Sequence, residues 1–148
     1  MRQPIQVLVY PLFVSPLGAD VLLLKRVPRL GGFWQGVTGA VEPGESLAEA
    51  AVRELFEETG FKSSDVEQVD YSCSYDVPED YAHLYESHVK RIDEFTFFCV
   101  LGDQHAPQLS DEHEDCQWCS IDRAFGLLKW ADDKRALEVC HQVVRKSS

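Results

Sequence analysis

The stretch from Leu47 to Glu58 constrains this chain more than any other, because its apolar residues Leu47, Ala48, Ala51, Val52 and Leu55 recur at intervals of three and four. That period predicts an amphipathic helix with one face turned to a core. Ser46 and Glu49 make a capping box at its start, and Gly60 stands where a helix end favours a left-handed residue. Stepping about 100° per residue brings Glu54, Glu57 and Glu58 into an arc of about 100°, with Glu58 projected between Leu47 and Ala51. Three acidic groups therefore share one edge of the apolar stripe. Like charges so spaced cost about 0.2 to 0.5 kcal/mol per pair, and they sit at the negative end of the helix dipole. Partly desolvated carboxylates in this position are expected to bind protons or cations, and hard oxygen ligands favour magnesium, manganese or calcium. The competing reading is a solvated acidic helix face.

Around this helix the chain mixes strands and helices without a strict alternation. Two apolar runs, Ile5 to Phe13 and Val21 to Leu24, flank turn-forming residues from Ser15 to Asp20 and predict a hairpin. A glycine-bearing loop through Pro28 to Gly32 leads into FWQGVTGAV, a short strand or extended loop. Val66 to Tyr75 and Phe95 to Leu101 read as strands, and the polar stretch between them, Asp76 to Lys90, is either a wall of the substrate pocket or a disordered surface loop. Cys116 to Ser120 is a further short strand, and Asp132 or Asp133 is placed to cap a terminal helix carrying Ala136, Leu137, Val139, Cys140 and Val143. With 148 residues and no internal repeat or linker, residues 1–148 are expected to form one domain.

A formal charge of −11 would repel the backbone of DNA or RNA, so a nucleic-acid polymer is not an expected partner. A small phosphate compound would need local neutralisation, which bound divalent cations supply. The five cysteines are scattered and odd in number, which points to a reducing cytosol, and Cys116 and Cys119 lack the further ligands of a zinc site. Ile5 to Val14 is too short to span a bilayer and lacks the flanks of a signal peptide, so a cytoplasmic protein without membrane association is expected. The chain is read as a monomer or homodimer.

From Gly39 the sequence runs GAVEPGESLAEAAVRELFEETGF. This stretch of 23 residues resembles the Nudix box, with Gly39, Glu45, Arg53, Glu54, Leu55, Glu57, Glu58, Gly60 and Phe61 filling every defining position. The resemblance implies an α/β fold, a Nudix-type α/β/α sandwich with a mixed sheet, in which the box forms a loop, helix and loop that bind catalytic metal. It further implies that the carbonyl of Gly39 and the carboxylates of Glu54, Glu57 and Glu58 hold Mg2+, with Mn2+ as a substitute. Phosphoryl transfer needs the charge neutralisation and oriented water that such ions provide. Arg53 is expected to orient a box carboxylate, or else to make a surface pair with Glu49. Family members recruit a further acidic residue from outside the box as base or ligand, and Glu112, within LSDEHEDCQW, is the candidate. Asp111, Glu114 and Asp115 are alternatives, as is a solvated loop, and His113 is read as solvated.

Within the family, LLLKRVPRLGGFWQGVTGAVE, FTFFCVL, EHEDCQW and KWADDKRALE look like the corresponding stretches of bacterial dihydroneopterin triphosphate pyrophosphohydrolases. That likeness implies cleavage between the α and β phosphates of dihydroneopterin triphosphate or a dNTP, giving a monophosphate and pyrophosphate. Lys25 and Arg26 would approach the phosphates, with Trp34 and Gln35 near the ring or pocket wall. For the two cations the alternative is solvation at a strand end, and for Trp34 it is the core. Hydrolysis of a nucleoside diphosphate sugar or of ADP-ribose is the enzymatic alternative. A catalytically silent Nudix ligand-binding module is the other, although no box carboxylate is missing.

Overall fold

The structure is a computed structural model and describes residues 1–146. The hairpin forms from β1 (Ile5–Ser15) and β2 (Gly18–Arg26), closed by a tight turn with Gly18 at a φ of 129°. β3 (Trp34–Gln35) pairs with β2, and β4 (Val37–Ala40) pairs antiparallel with the first half of β1. The box helix α1 spans Leu47–Thr59 and carries the expected capping box, with Gly60 in the left-handed region at a φ of 79°. β5 (Glu67–Asp76) and β6 (Arg91–Leu101) are antiparallel to each other, whereas β6 runs parallel to β1, which makes the sheet mixed. β7 (His113–Ser120) pairs with β2, and α2 (Ile121–Leu127) and α3 (Ala131–Lys146) follow.

Alternation along β1 divides the core between two faces. Val7 and Val9 pack with Ala50, Ala51 and Leu55 of α1, while Leu8, Tyr10 and Leu12 pack with Leu137 and Cys140 of α3 and Ala124 of α2. The result is the expected α/β/α sandwich, with the box helix on one face and the C-terminal helices on the other.

The structure departs from the sequence reading in three places. Asp132 and Asp133 do not cap α3, because the helix already starts at Ala131 and both lie in its first turn. α2, with Ser120 accepting a hydrogen bond from the Arg123 N–H, was not foreseen. β6 begins at Arg91 and β7 at His113, earlier than their apolar runs suggest, since pairing with β5 and β2 extends both. Of the two readings of Asp76 to Lys90, the pocket wall fits the structure: the stretch holds a 3-10 turn over Glu79–Leu84, and Pro78, Tyr81, Leu84 and Tyr85 line a cavity. Among the described residues no helix is long and apolar enough to cross a membrane.

Candidate active site

Gly39 lies within β4, paired with Val7 of β1, and packs directly against the side chain of Glu54. A Cβ at Gly39 would come within 2.0 Å of the Glu54 carboxyl carbon, so only glycine allows that approach. Arg53 organises the remaining acids. Its Nε and Nη2 donate to Glu45 at 2.7 and 2.9 Å, its Nη1 donates to Glu54 at 2.7 Å and to Glu57 at 3.2 Å, and Nη2 also donates to the Ala40 carbonyl at 2.9 Å. The planar guanidinium has the donors in fixed geometry that such a fork requires. The surface pair of Arg53 with Glu49 does not form, because Glu49 accepts from the Ser46 N–H and completes the capping box. Arg53 holds Glu45 below the usual carboxylate range.

Burial of the three helix acids is graded. The Glu57 side chain is 53% exposed, that of Glu54 12% and that of Glu58 5%. Burial pushes Glu58 well above the usual carboxylate range, and the adjacent Glu54 raises it further; Glu54 is itself raised by burial against the pull of Arg53. Glu58 Oε1 is buried without a hydrogen bond among the described residues, 3.8 Å from His113 Nε2. His113 is therefore not solvated, contrary to expectation. It is buried, its Nε2 lies 3.3 Å from the Gln35 amide nitrogen, and burial lowers its pKa.

Glu54 and Glu57 open onto a cavity of about 1080 Å3, whose walls also include Thr38, Gly39, Arg26 and Glu112, while Glu58 and His113 are buried behind that wall. Glu112 sits at the loop before β7, where its carbonyl accepts from the Val27 N–H and its charge raises Glu58. Of the four residues read as substrate contacts, Arg26 and Gln35 line the cavity. Lys25 and Trp34 do not. Lys25 pairs with Glu114 at 3.5 Å, and Trp34 packs against the α3-side core, because successive strand residues face opposite ways. Sequence reasoning missed Arg29 and Phe33 on the wall, and also Glu94, which is 6% exposed. A charged residue at an inward phase of β6, between Ile92 and Thr96, was the available signal.

Whether these groups suit a divalent cation follows from their chemistry. The donors are hard oxygens, Glu58 Oε1 is an orphaned buried acceptor, and Gly39 keeps backbone and carboxylate in contact, all of which fit Mg2+. Among the described residues no three acidic, histidine or cysteine side chains already converge on one cation-sized point. Arg53 holds three of the box carboxylates, Glu45, Glu54 and Glu57, so a cation would compete with that guanidinium for Glu54 and Glu57.

Sheet, flanking helices and carboxylate box together define a hydrolase of the α/β/α type. The chain belongs to the Nudix family and is a Nudix hydrolase: a model of the NUDIX domain matches residues 4–140. It is 29% identical over 122 residues to a dihydroneopterin triphosphate diphosphatase of Haemophilus influenzae, covering 80% of this chain and 76% of that protein. It is 39% identical over 118 residues to an octanoyltransferase of Myxococcus xanthus, covering 74% of this chain but only 29% of that protein's length. The E. coli dihydroneopterin triphosphate pyrophosphohydrolase superposes with a TM-score of 0.77 at 27% identity, covering 93% of this chain and 94% of that one. The family generally uses divalent cations such as Mg2+.

Proposed function

We propose that this chain is a Mg2+-dependent pyrophosphohydrolase that cleaves between the α and β phosphates of a nucleotide-like triphosphate, dihydroneopterin triphosphate or a dNTP, giving a monophosphate and pyrophosphate. The observation that carries this reading is one cavity that joins the box carboxylates to a chamber large enough for a heterocycle.

Glu54, Glu57, Glu58 and the Gly39 carbonyl would hold Mg2+, with Glu112 as a further ligand or base. When bound, the ion supplies charge neutralisation at the phosphate oxygens and polarises the scissile anhydride. Arg53 keeps Glu45, Glu54 and Glu57 fixed around the box and is a positioning residue. Arg26 and Arg29, on the same wall, attract the phosphates. Glu112 has a carboxylate exposed to the cavity and accepts a proton from the attacking water. The apolar rim of Leu30, Phe33 and Trp130 limits water around the ring.

Product analysis tests this directly. Dihydroneopterin triphosphate, dNTPs, ADP-ribose and a nucleoside diphosphate sugar are incubated with magnesium or with chelator. Magnesium-dependent pyrophosphate and monophosphate from triphosphates is expected. Turnover confined to the linked diphosphates would replace this reading with diphosphate-sugar or ADP-ribose hydrolysis, and no turnover of any compound would replace it with a silent binding module.

A further inference from the structure

The cavity is electrostatically two-ended. Cross-strand pairing aligns Ala40 of β4, Gln6 of β1, Glu94 of β6 and Cys73 of β5 in one row. Ala40 carries the carbonyl that accepts from Arg53, and Glu94 lies two strand spacings away, roughly 10 Å. The Gln6 amide donates to Glu94 Oε2 at 2.7 Å, while Oε1 has no hydrogen bond among the described residues, although the side chain lines the cavity and is 6% exposed. Opposite, the first turn of α3 brings Asp132 and Asp133 to the same wall. Their positions are set by tyrosines: Tyr10 Oη donates to the Asp133 carbonyl and Tyr71 Oη to Asp132 Oδ1, each at 2.8 Å.

Three carboxyl groups so placed repel a phosphate, so the phosphates belong at the Arg26 and Arg29 end and another part of the substrate must reach this one. A second cation is a poor occupant. Among the described residues the three acids do not converge on one point, and Gln6 and Tyr71 already engage two of their oxygens. What remains is a free acceptor on a mostly buried side chain that faces the cavity beside a second carboxyl, within a chamber walled by Trp130 and Phe33, whose rings meet edge to face at 4.4 Å. A flat heterocycle with adjacent N–H donors satisfies that acceptor and covers the aromatic surface.

We infer that Glu94 and Asp133 are specificity-determining residues that accept hydrogen bonds from the aminopyrimidinone edge, a ring N–H beside an exocyclic amino group, which guanine and pterin rings share. The inference rests on the triphosphate reading of the cavity and narrows it to that ring class. Burial and neighbouring acids push Glu94 up to about 7 and Asp133 to about 6, so the cluster carries reduced charge near neutral pH and suits a neutral ring better than an amine cation.

The test has a hydrolytic and a binding arm. In the first, kcat/KM is compared for dGTP, for dITP, which lacks only the 2-amino group, for dihydroneopterin triphosphate and for dCTP. The parent is expected to favour dGTP over dITP by about tenfold or more, as sites built to hydrogen-bond a group reject its absence. Glu94→Gln, and separately Asp133→Asn, should bring that ratio to within about threefold. Whichever of dGTP and dihydroneopterin triphosphate has the larger kcat/KM identifies the source of the ring. Equal turnover of dGTP and dITP by the parent would overturn the inference while leaving the pyrophosphohydrolase reading intact. In the second arm, guanosine, neopterin and inosine are titrated calorimetrically in chelator, independently of turnover. Guanosine and neopterin should bind about tenfold more tightly than inosine, and both variants should lose the difference. If no triphosphate is hydrolysed, this arm alone decides. Indifference to the amino group sinks the inference, and its recognition supports it even though the hydrolytic reading has failed.

Discussion

The two ends of the cavity both bury carboxylates, and they do so against different company. At the box, Glu45, Glu54 and Glu57 share one guanidinium, so the acids are held in place by a cation of the chain itself. At Glu94 the nearest partner is a neutral amide, and Asp133 adds a like charge. The first arrangement is held by a multidentate fork, and under the proposed function a divalent cation would compete with Arg53 for Glu54 and Glu57. The second keeps a free acceptor and favours a proton or a neutral donor. Buried carboxylates thus mark either charge chemistry or recognition, depending on whether a cation has been built beside them.

The comparison is broken most sharply at the box. Glu57→Gln removes a charge from the carboxylate set without changing its shape. Turnover at saturating magnesium should fall by about a hundredfold or more, the scale of single electrostatic groups in catalysis. Retained turnover would remove Glu57 from the chemistry and leave the exposed position as an ordinary solvated acid.

Arg53→Lys asks whether the fork or the charge matters. A lysine keeps the cation but cannot serve Glu45, Glu54, Glu57 and the Ala40 carbonyl at once. Magnesium titrations of the variant should show turnover or apparent metal affinity reduced about 10- to 100-fold, as for other groups that orient metal-binding residues. Full activity in the variant would show that charge alone suffices, and the contrast between the two ends would fail.

At the other end the sharper test is stability against pH in chelator. Because Glu94 has its pKa raised to about 7 in the folded protein, the folded state holds a proton that the unfolded chain releases near 4.5. Its contribution to stability is therefore full below the unfolded value and is lost as pH rises through about 7. Glu54, Glu58 and Asp133 are shifted in the same direction and Glu45 in the opposite one, so the informative quantity is the difference between parent and Glu94→Gln. The parent should lose about 2 kcal/mol more than the variant between pH 5 and pH 8, read from denaturant or thermal melts. Parallel curves would mean that Glu94 titrates as an exposed acid does, and that the chamber is wet and open.

The same contrast explains what could be read before the structure. The box helix was legible because its period, cap and carboxylate arc are all local, and the hairpin because turn chemistry separates two apolar runs. Glu94 was not, since the residues that bury it, Gln6 and Cys73, are its neighbours only through β-sheet register. His113 was missed for a related reason: the register between β2 and β7 shifts at Lys25 and Arg26, which upsets the simple alternation that would place a side chain inward or outward. The same alternation sends Lys25 to Glu114 and Arg26 to the cavity, a choice that adjacent cations in a sequence do not reveal. α2 is seven residues long, too short for a helical period to stand out, and Asp132 and Asp133 lie one turn-step inside the helix they resemble a cap for.

The smallest expected effect lies at the start of the box helix. Ser46→Ala deletes the hydroxyl that accepts from the Glu49 N–H at 3.0 Å and leaves that donor to water. Losing such a cap costs about 1 kcal/mol, which lowers the melting temperature of a chain this size by roughly 2 to 4 °C. Ser46 lies next to Glu45, yet Glu45 is held separately by two bonds from Arg53 and by the hydrogen bond it accepts from the Glu42 N–H. The carboxylate set should therefore stay in place, and magnesium-dependent turnover should change by less than about threefold, because the deleted bond fixes the helix end rather than the acids. A melt and a single turnover series check both parts. If Ser46→Ala instead lowered turnover as far as Glu57→Gln does, the box would owe its geometry to the helix cap and not to the guanidinium, and the positioning assigned to Arg53 would belong to the backbone.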